Sequence, residues 1–141
     1  MYNTNTWKKK FSCSEVEKDD LKKIGRDLEF IKLTTEIAKE LGLRAIVAGG
    51  YAVDGSLGQI TRPHNDIFDS SKVVIKDNKK KTEPHLFNTL PVQLEGIAFE
   101  AQNPKTELED KMAKKAKGEK KRTEIDQDIH NLQLFFNHQS D

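Results

Sequence analysis

Apolar residues recur at helical spacing over a long N-terminal stretch of the chain. Between residues 15 and 41 they follow one another at intervals of three or four, which predicts a helix with one apolar face. Gly25 is expected to interrupt this helix. The residues that define the apolar stripe are Phe30, Leu33, Ile37 and Leu41.

Two more helices are predicted near the other end of the chain. Asn103-Pro104 is a typical helix start, because Asn caps the first turn and Pro fits its first position. A last helix begins at Thr123. The residues expected to face inward are Leu108, Met112 and Ala116 in the first of these helices, and Ile125, Ile129, Leu132 and Phe136 in the second.

Short apolar runs bounded by turn residues predict strands. Residues 45–48 lead into Gly49-Gly50 and indicate a buried strand, followed by a short helix that ends near Gly58. Residues 73–75 form another run. Residues 92–94 and 97–99 flank Glu95-Gly96, which predicts a hairpin with a two-residue turn. These elements predict an α/β (α+β) fold, with a small mixed sheet flanked by helices.

Length and composition predict one small domain. A chain of 141 residues can form one core, so we expect a single domain over residues 15–141 behind a polar arm over residues 1–14. The formal charge of +1 provides no overall field that would attract nucleic acid. One cysteine, Cys13, and the absence of an apolar run of ~20 residues predict a cytoplasmic protein without a membrane partner.

The most informative stretch for chemistry runs from residue 48 to residue 67. A strand that ends in two glycines and opens a helix presents backbone N–H groups that side chains cannot shield, so it can approach a polyanion. Gly49-Gly50 alone is weak support, because tight strand-to-helix turns also use glycine for steric reasons. The motif continues through Asp54, whose carboxylate suits the positive end of the helix dipole, and through residues 61–67.

This extended motif resembles that of the aminoglycoside and lincosamide nucleotidyltransferases of the polymerase-beta-like superfamily. The residues that carry the resemblance are Gly49-Gly50-Tyr51-Ala52-Val53-Asp54, Leu57-Gly58 and Thr61-Arg62-Pro63-His64-Asn65-Asp66-Ile67. A weaker match covers residues 97–104, Lys111 and residues 126–129. Together the two stretches cover about half of the chain, and they imply an abbreviated form of the minimal nucleotidyltransferase fold.

The resemblance implies an Mg²⁺-dependent transfer of a nucleoside monophosphate, usually AMP from ATP, to a hydroxyl group of a small molecule. An aminoglycoside or lincosamide acceptor would make the protein an antibiotic-resistance enzyme. Two Mg²⁺ ions about 3.5–4 Å apart require a cluster of carboxylates. In this sequence the resemblance assigns metal binding and catalysis to Asp66, and nucleotide binding to Gly49, Gly50, Arg62, His64 and Lys111.

The sequence departs from the family pattern after Ile67. The second metal carboxylate is expected two residues after Asp66, on the same face of a strand, and that position holds Phe68. Asp69 and Asp77 are the nearest candidates for the other metal ligands. The spacing between Ile67 and the closing helices is also short for the family. Either part of the acceptor side has been lost, or a segment after Ile67 is missing from this sequence.

Two other classes of function stay open at this stage. A catalytically silent member of the family would bind a nucleotide or a protein partner, and a toxin–antitoxin nucleotidyltransferase would modify a protein or tRNA. A nucleic-acid binder would use the lysine runs at residues 79–81 and 120–122. Those runs contain no interleaved aromatic residues, so they are more typical of a solvated surface.

Overall fold

The computed structural model describes residues 11, 13–64, 71–77, 89–118 and 122–139. These residues form a mixed α/β fold, as the sequence predicts. The helices are α1 (Lys18–Glu40), α2 (Gly50–Leu57), α3 (Pro104–Ala116) and α4 (Arg122–Gln139), and the strands are β1 (Leu43–Gly49), β2 (Ser71–Asp77), β3 (Thr89–Leu94) and β4 (Ile97–Gln102). Among the helices described, none is both long enough and apolar enough to cross a lipid bilayer.

The four described strands form one mixed sheet in the order β2-β1-β4-β3. β1 runs antiparallel to β2 and parallel to β4, and β3 and β4 are antiparallel. Because β1 and β4 are parallel, their C-terminal ends lie at the same edge of the sheet. Gly49 at the end of β1 pairs with Ser71 at the start of β2. This edge is where α2 and α3 begin, directly after β1 and β4.

The hairpin between β3 and β4 is confirmed. Both residues of its two-residue turn have positive φ, 50° at Glu95 and 81° at Gly96. Positive φ at both central positions defines the turn whose twist matches that of the flanking strands, and glycine adopts it at little cost. Pro91 lies in β3, one of the two edge strands of the described sheet, where a missing N–H donor is tolerated.

α1 is continuous through Gly25, and it buries a different face from the one predicted. Ile31 is fully buried, whereas Ile37 and Leu41 from the predicted stripe are 56% and 68% exposed. Both stripes have the helical period, so the spacing cannot choose between them. The sheet selects the stripe that packs on Val47 and Ala101. The residues that α1 buries are Ile24, Leu28, Ile31 and Ala38, and the exposed members of the predicted stripe are Phe30, Leu33, Ile37 and Leu41.

α3 begins as predicted but presents a polar face to the protein interior. The side chain of Asn103 accepts a hydrogen bond from the Lys105 amide at 2.8 Å, which confirms the cap. Met112 and Ala116 are exposed, so their predicted burial is wrong, and Leu108 is half-buried. The residues that α3 buries are Pro104, Glu107 and Lys111. In α4 the predicted stripe is confirmed for Ile125, Ile129 and Leu132, while Phe136 is half-buried.

α2 lies between two apolar clusters. Tyr51 and Ala52 belong to the larger cluster, which joins α1 to one face of the sheet. Val53 and Leu57 belong to the smaller one, together with Leu132 of α4 and with Phe11, an aromatic residue of the N-terminal arm that packs on the domain. Packing on both sides holds α2 in position, and with it the glycine corner at its N-terminus.

Candidate functional site

The strand-to-helix corner requires glycine at both of its positions. Gly49 has φ 93° and ψ −150°, a conformation that L side chains rarely adopt. Gly50 has no space for a side chain, because a Cβ atom there would lie 2.4 Å from Cε1 and 2.5 Å from Nδ1 of His64. Steric need therefore explains both residues, and their role in binding phosphate remains a prediction.

A buried carboxylate from α3 contacts the glycine corner. The backbone N–H of Gly49 donates to Oε1 of Glu107 at 2.7 Å, and Glu107 is 2% exposed. Burial raises the pKa of Glu107 to about 7, although the Gly49 hydrogen bond and the charge of Lys111 act in the opposite direction. Sequence reasoning missed Glu107. Its spacing of four residues from Lys111 on the predicted helix was the available signal.

Asp54 fastens the loop after α2 onto the helix. Its Oδ1 accepts a hydrogen bond from the Thr61 hydroxyl at 2.6 Å, and its Oδ2 lies 2.8 Å from Nε2 of His64. All three side chains are buried. Asp54 is the fifth residue of α2 and tethers the loop, so the helix-dipole interpretation misses its main contacts. His64 Nδ1 is also buried and has no hydrogen-bond partner among the described residues.

Two buried cations share one carboxylate on α4. Asp128 Oδ2 lies 3.0 Å from Nη2 of Arg62 and 3.4 Å from Nζ of Lys111, and all three residues are at most 5% exposed. Glu124 is half-buried and lies 3.5 Å from Nη1 of Arg62. Burial alone would lower the pKa of Arg62, but the charges of Asp128, Asp54 and Glu124 outweigh it and raise that pKa. Both cations are therefore held in place by anions of the protein.

Of the three proposed metal ligands, the structure describes only the backbone of Asp77. Asp66 and Asp69 lie outside the described residues. The backbone of Asp77 pairs with Leu43, at the opposite end of β1 from Gly49. Six residue steps of about 3.3 Å put Asp77 about 20 Å from the glycine corner along the strand. Over the described ranges, no three His, Cys, Asp or Glu residues are grouped so that they could hold a metal ion.

The lysine runs considered for nucleic-acid binding lie outside the described residues, apart from the backbone of Arg122 at the end of the run over residues 120–122. The cations that the structure does bring to the corner, Arg62 and Lys111, are buried and paired. They do not form an exposed basic surface of the kind that tracks a phosphate backbone.

The five residues that the sequence predicts to bind a nucleotide are all described, and contacts link them in the structure. Arg62 and Lys111 meet at Asp128, and Lys111 lies one helical turn after Glu107, which contacts Gly49. The ring of His64 packs on Gly50. Comparisons of the chain with protein-family models, with curated proteins and with solved structures found no match.

Proposed function

We propose that this protein transfers a nucleoside monophosphate, AMP from ATP, to a hydroxyl group of a small molecule such as an aminoglycoside or a lincosamide. The observation that carries this proposal is the meeting of Arg62 and Lys111 at Asp128. Arg62 belongs to the first stretch that resembles the nucleotidyltransferases, and Lys111 belongs to the second. A chance likeness in two distant stretches gives no reason for their key residues to meet.

The chemistry of the corner suits a nucleotide's phosphate chain. A helix N-terminus favours negative charge, and at the start of α2 the Gly49 amide already binds an anion, the carboxylate of Glu107. Arg62 and Lys111 lie near this end in a buried setting where electrostatic interactions are strong, and Asp128 and Glu124 offset their charges. Phosphoryl transfer depends mainly on such positioning and charge neutralisation.

The Asp54–His64 contact supports the proposed catalytic residue. Asp66 follows His64 by two residues in the sequence, so the hydrogen bond to Asp54 anchors the chain just before the carboxylate that we propose as metal ligand and catalytic residue. Mg²⁺ would neutralise charge on the transferred phosphoryl group. Asp69 remains a proposed second ligand. Asp77 is set aside, because its backbone lies at the far end of β1.

A second candidate function, nucleotide binding without transfer, is favoured by three features of this chain. Phe68 stands where a second metal carboxylate is expected. Glu107 accepts the hydrogen bond of the Gly49 amide, and Asp128 pairs with both cations. An enzyme that had lost its metal site but kept its fold would show the same combination.

A transfer assay tests the proposal. The purified protein is incubated with radiolabelled ATP, Mg²⁺ and a panel of aminoglycosides and lincosamides, and the acceptors are analysed for added AMP by mass spectrometry. Asp66→Asn is expected to reduce transfer at least about 100-fold, because the metal site loses its main carboxylate. The matched control is Asp19→Asn, which makes the same substitution at an exposed position on α1 and should leave transfer unchanged.

The outcomes separate the candidate functions. Transfer that is lost only in Asp66→Asn supports the enzyme. ATP binding that is independent of Mg²⁺ and yields no transfer supports the silent binder. AMP added to a co-expressed protein or to tRNA, with no change in the small molecules, supports the toxin–antitoxin alternative. No ATP binding, with or without Mg²⁺, overturns all three.

A further inference from the structure

The backbone amide that would meet a phosphate is already paired with a carboxylate of the protein. Gly49 N–H donates to Glu107 Oε1 at 2.7 Å, and Gly49 directly precedes α2. Carboxylate and phosphate oxygens accept the same kind of hydrogen bond from a helix N-terminus. One N–H group cannot serve both anions fully, so Glu107 and a bound phosphate compete for it.

The charges around Glu107 come from three elements. Lys111 and Asp110 lie on its own helix, α3, and Asp128 lies on α4; all three act on Glu107. Arg62 contacts one of these charges directly, through its ion pair with Asp128. On α2, the titratable side chains are Asp54, which is occupied by Thr61 and His64, and Tyr51, whose hydroxyl donates to Asp27 at 2.7 Å. Lys111 is the cation whose charge lowers the pKa of Glu107, and it is itself paired with Asp128.

A second feature at the same helix end points to a ligand. His64 is 1% exposed, and its Nδ1 has no hydrogen-bond partner among the described residues. This nitrogen faces the first residue of α2, since a Cβ atom on Gly50 would lie 2.5 Å from it. A buried polar atom without a partner is costly. Glu107 and His64 thus flank the glycine corner with one competing anion and one unsatisfied polar atom.

Resting on the proposed function, we propose that Glu107 is an internal competitor for the phosphate site. A nucleotide phosphate replaces its carboxylate at the Gly49 amide, and the displaced Glu107 takes up a proton from solvent. No covalent bond between heavy atoms changes in this step. The exchange couples nucleotide binding to the protonation of Glu107, so Glu107 regulates the affinity of the site for polyanions.

The physical reason for proton uptake is the repulsion between two anions in a buried setting. A phosphate next to an ionised carboxylate favours the neutral form of that carboxylate. The pKa of Glu107 is already raised to about 7 by burial, so protonation costs little near neutral pH. Nucleotide binding should weaken as the pH rises through this value, because each binding event must then neutralise an ionised Glu107.

Isothermal titration with MgATP tests the proposal on the full chain. At about pH 8, in two buffers of different ionisation enthalpy, the parent protein should take up close to one proton per ATP. Its affinity should fall about tenfold between about pH 6 and about pH 8. Glu107→Gln keeps an oxygen for the Gly49 amide but carries no charge. It should bind about tenfold more tightly than the parent at about pH 8 and show neither effect.

Glu109→Gln is the matched control. It makes the same substitution on the exposed side of α3, and it should keep the proton uptake and pH profile of the parent. Protonation of ATP itself is common to all three proteins and cancels in the comparison. The proton uptake of the parent also serves as a test by itself if melting curves show that Glu107→Gln does not fold.

The possible results distinguish this inference from the proposed function. If the parent and Glu107→Gln bind ATP with the same affinity and the same proton uptake, Glu107 is only a structural partner of Gly49 and the inference fails alone. If Glu107→Gln binds ATP more weakly than the parent at every pH, the inference likewise fails alone. Absence of ATP binding in both proteins overturns the inference and the proposed function together. If Glu107→Gln binds ATP and the parent does not, the inference is supported.

Discussion

The imidazole ring of His64 lies directly on Gly50. A Cβ atom at position 50 would come within 2.4 Å of Cε1 and 2.5 Å of Nδ1 of this ring. The ring cannot easily move aside, because Nε2 is held at 2.8 Å from Asp54 and both side chains are fully buried. The contact between helix and loop at the candidate site therefore depends on a glycine at this position.

Gly50→Ala should destabilise the protein. The added methyl group overlaps the ring of His64, and relief requires the Asp54–His64 hydrogen bond to stretch or the helix to shift. Overpacking of this kind costs about 1–3 kcal/mol of unfolding free energy, which urea denaturation measures. Gly25→Ala is the control. A methyl group at position 25 of α1 would meet nothing within 4 Å, so alanine there should stabilise by about 0.5–1 kcal/mol. Equal effects at both positions would contradict the close contact.

Asp128→Asn should be strongly destabilising. It removes the buried charge that Arg62 and Lys111 share, and breaking such a buried pair costs about 3–5 kcal/mol. Asp126→Asn, two residues earlier, removes a partner of Lys115 at 2.9 Å, but both side chains of that pair are nearly half exposed. It should cost less than about 1 kcal/mol. Similar unfolding free energies for the two variants would argue against the buried network.

Glu107→Gln should change how stability depends on pH. The pKa of Glu107 is raised from 4.5 to about 7 in the folded protein, so between these values the folded state holds a proton that the unfolded state has lost. The free energy of unfolding therefore falls as the pH rises through this window, by about 3 kcal/mol in total. Glutamine does not titrate, so the variant does not lose this stability as the pH rises. Relative to the parent, the variant should gain stability from about pH 4.5 to about pH 7 and show no further gain above it.

Denaturation at a series of pH values measures this difference. Glu109→Gln, at an exposed position on the same helix, should follow the parent at every pH. A constant difference between Glu107→Gln and the parent across the window would show that Glu107 titrates like an ordinary exposed carboxyl group.

The face that α1 buries can be tested with one substitution on each stripe. Ile31→Ala should cost about 2–5 kcal/mol, because Ile31 is fully buried between the helix and the sheet. Ile37→Ala should change stability by no more than about 0.5 kcal/mol, because Ile37 is 56% exposed. Urea denaturation distinguishes the two. A larger loss of stability in Ile37→Ala than in Ile31→Ala would mean that α1 buries the face that the sequence pattern predicted.

Short-range chemistry made several elements predictable from the sequence. Glu95-Gly96 between two apolar runs specifies its hairpin, because the turn needs positive φ at both positions. Asn103-Pro104 specifies a helix start through a hydrogen bond that spans two residues. α2 ends at Gly58, as expected, and the structure shows this glycine in the left-handed conformation. Each of these outcomes depends on neighbours along the chain, so the order of residues is enough.

The faces of the helices were not predictable in the same way. The two stripes of α1 share one period, and α3 buries Glu107 and Lys111 where an apolar stripe was expected. Burial of these charges is tolerated because Gly49 and Asp128 satisfy them, and those partners come from distant parts of the chain. Spacing along a helix reveals which residues share a face, but not what that face will meet.

By itself, the sequence determined the class of fold, the glycine corner and the residues to consider for nucleotide binding, because these depend on local conformation and on motif. Only the tertiary structure decided that Glu107 meets the Gly49 amide, that Asp128 joins Arg62 to Lys111, and that Asp77 lies at the far end of β1. The physical reason is that strand register and helix packing are set by contacts between segments that are remote in the chain, and such contacts leave no local pattern.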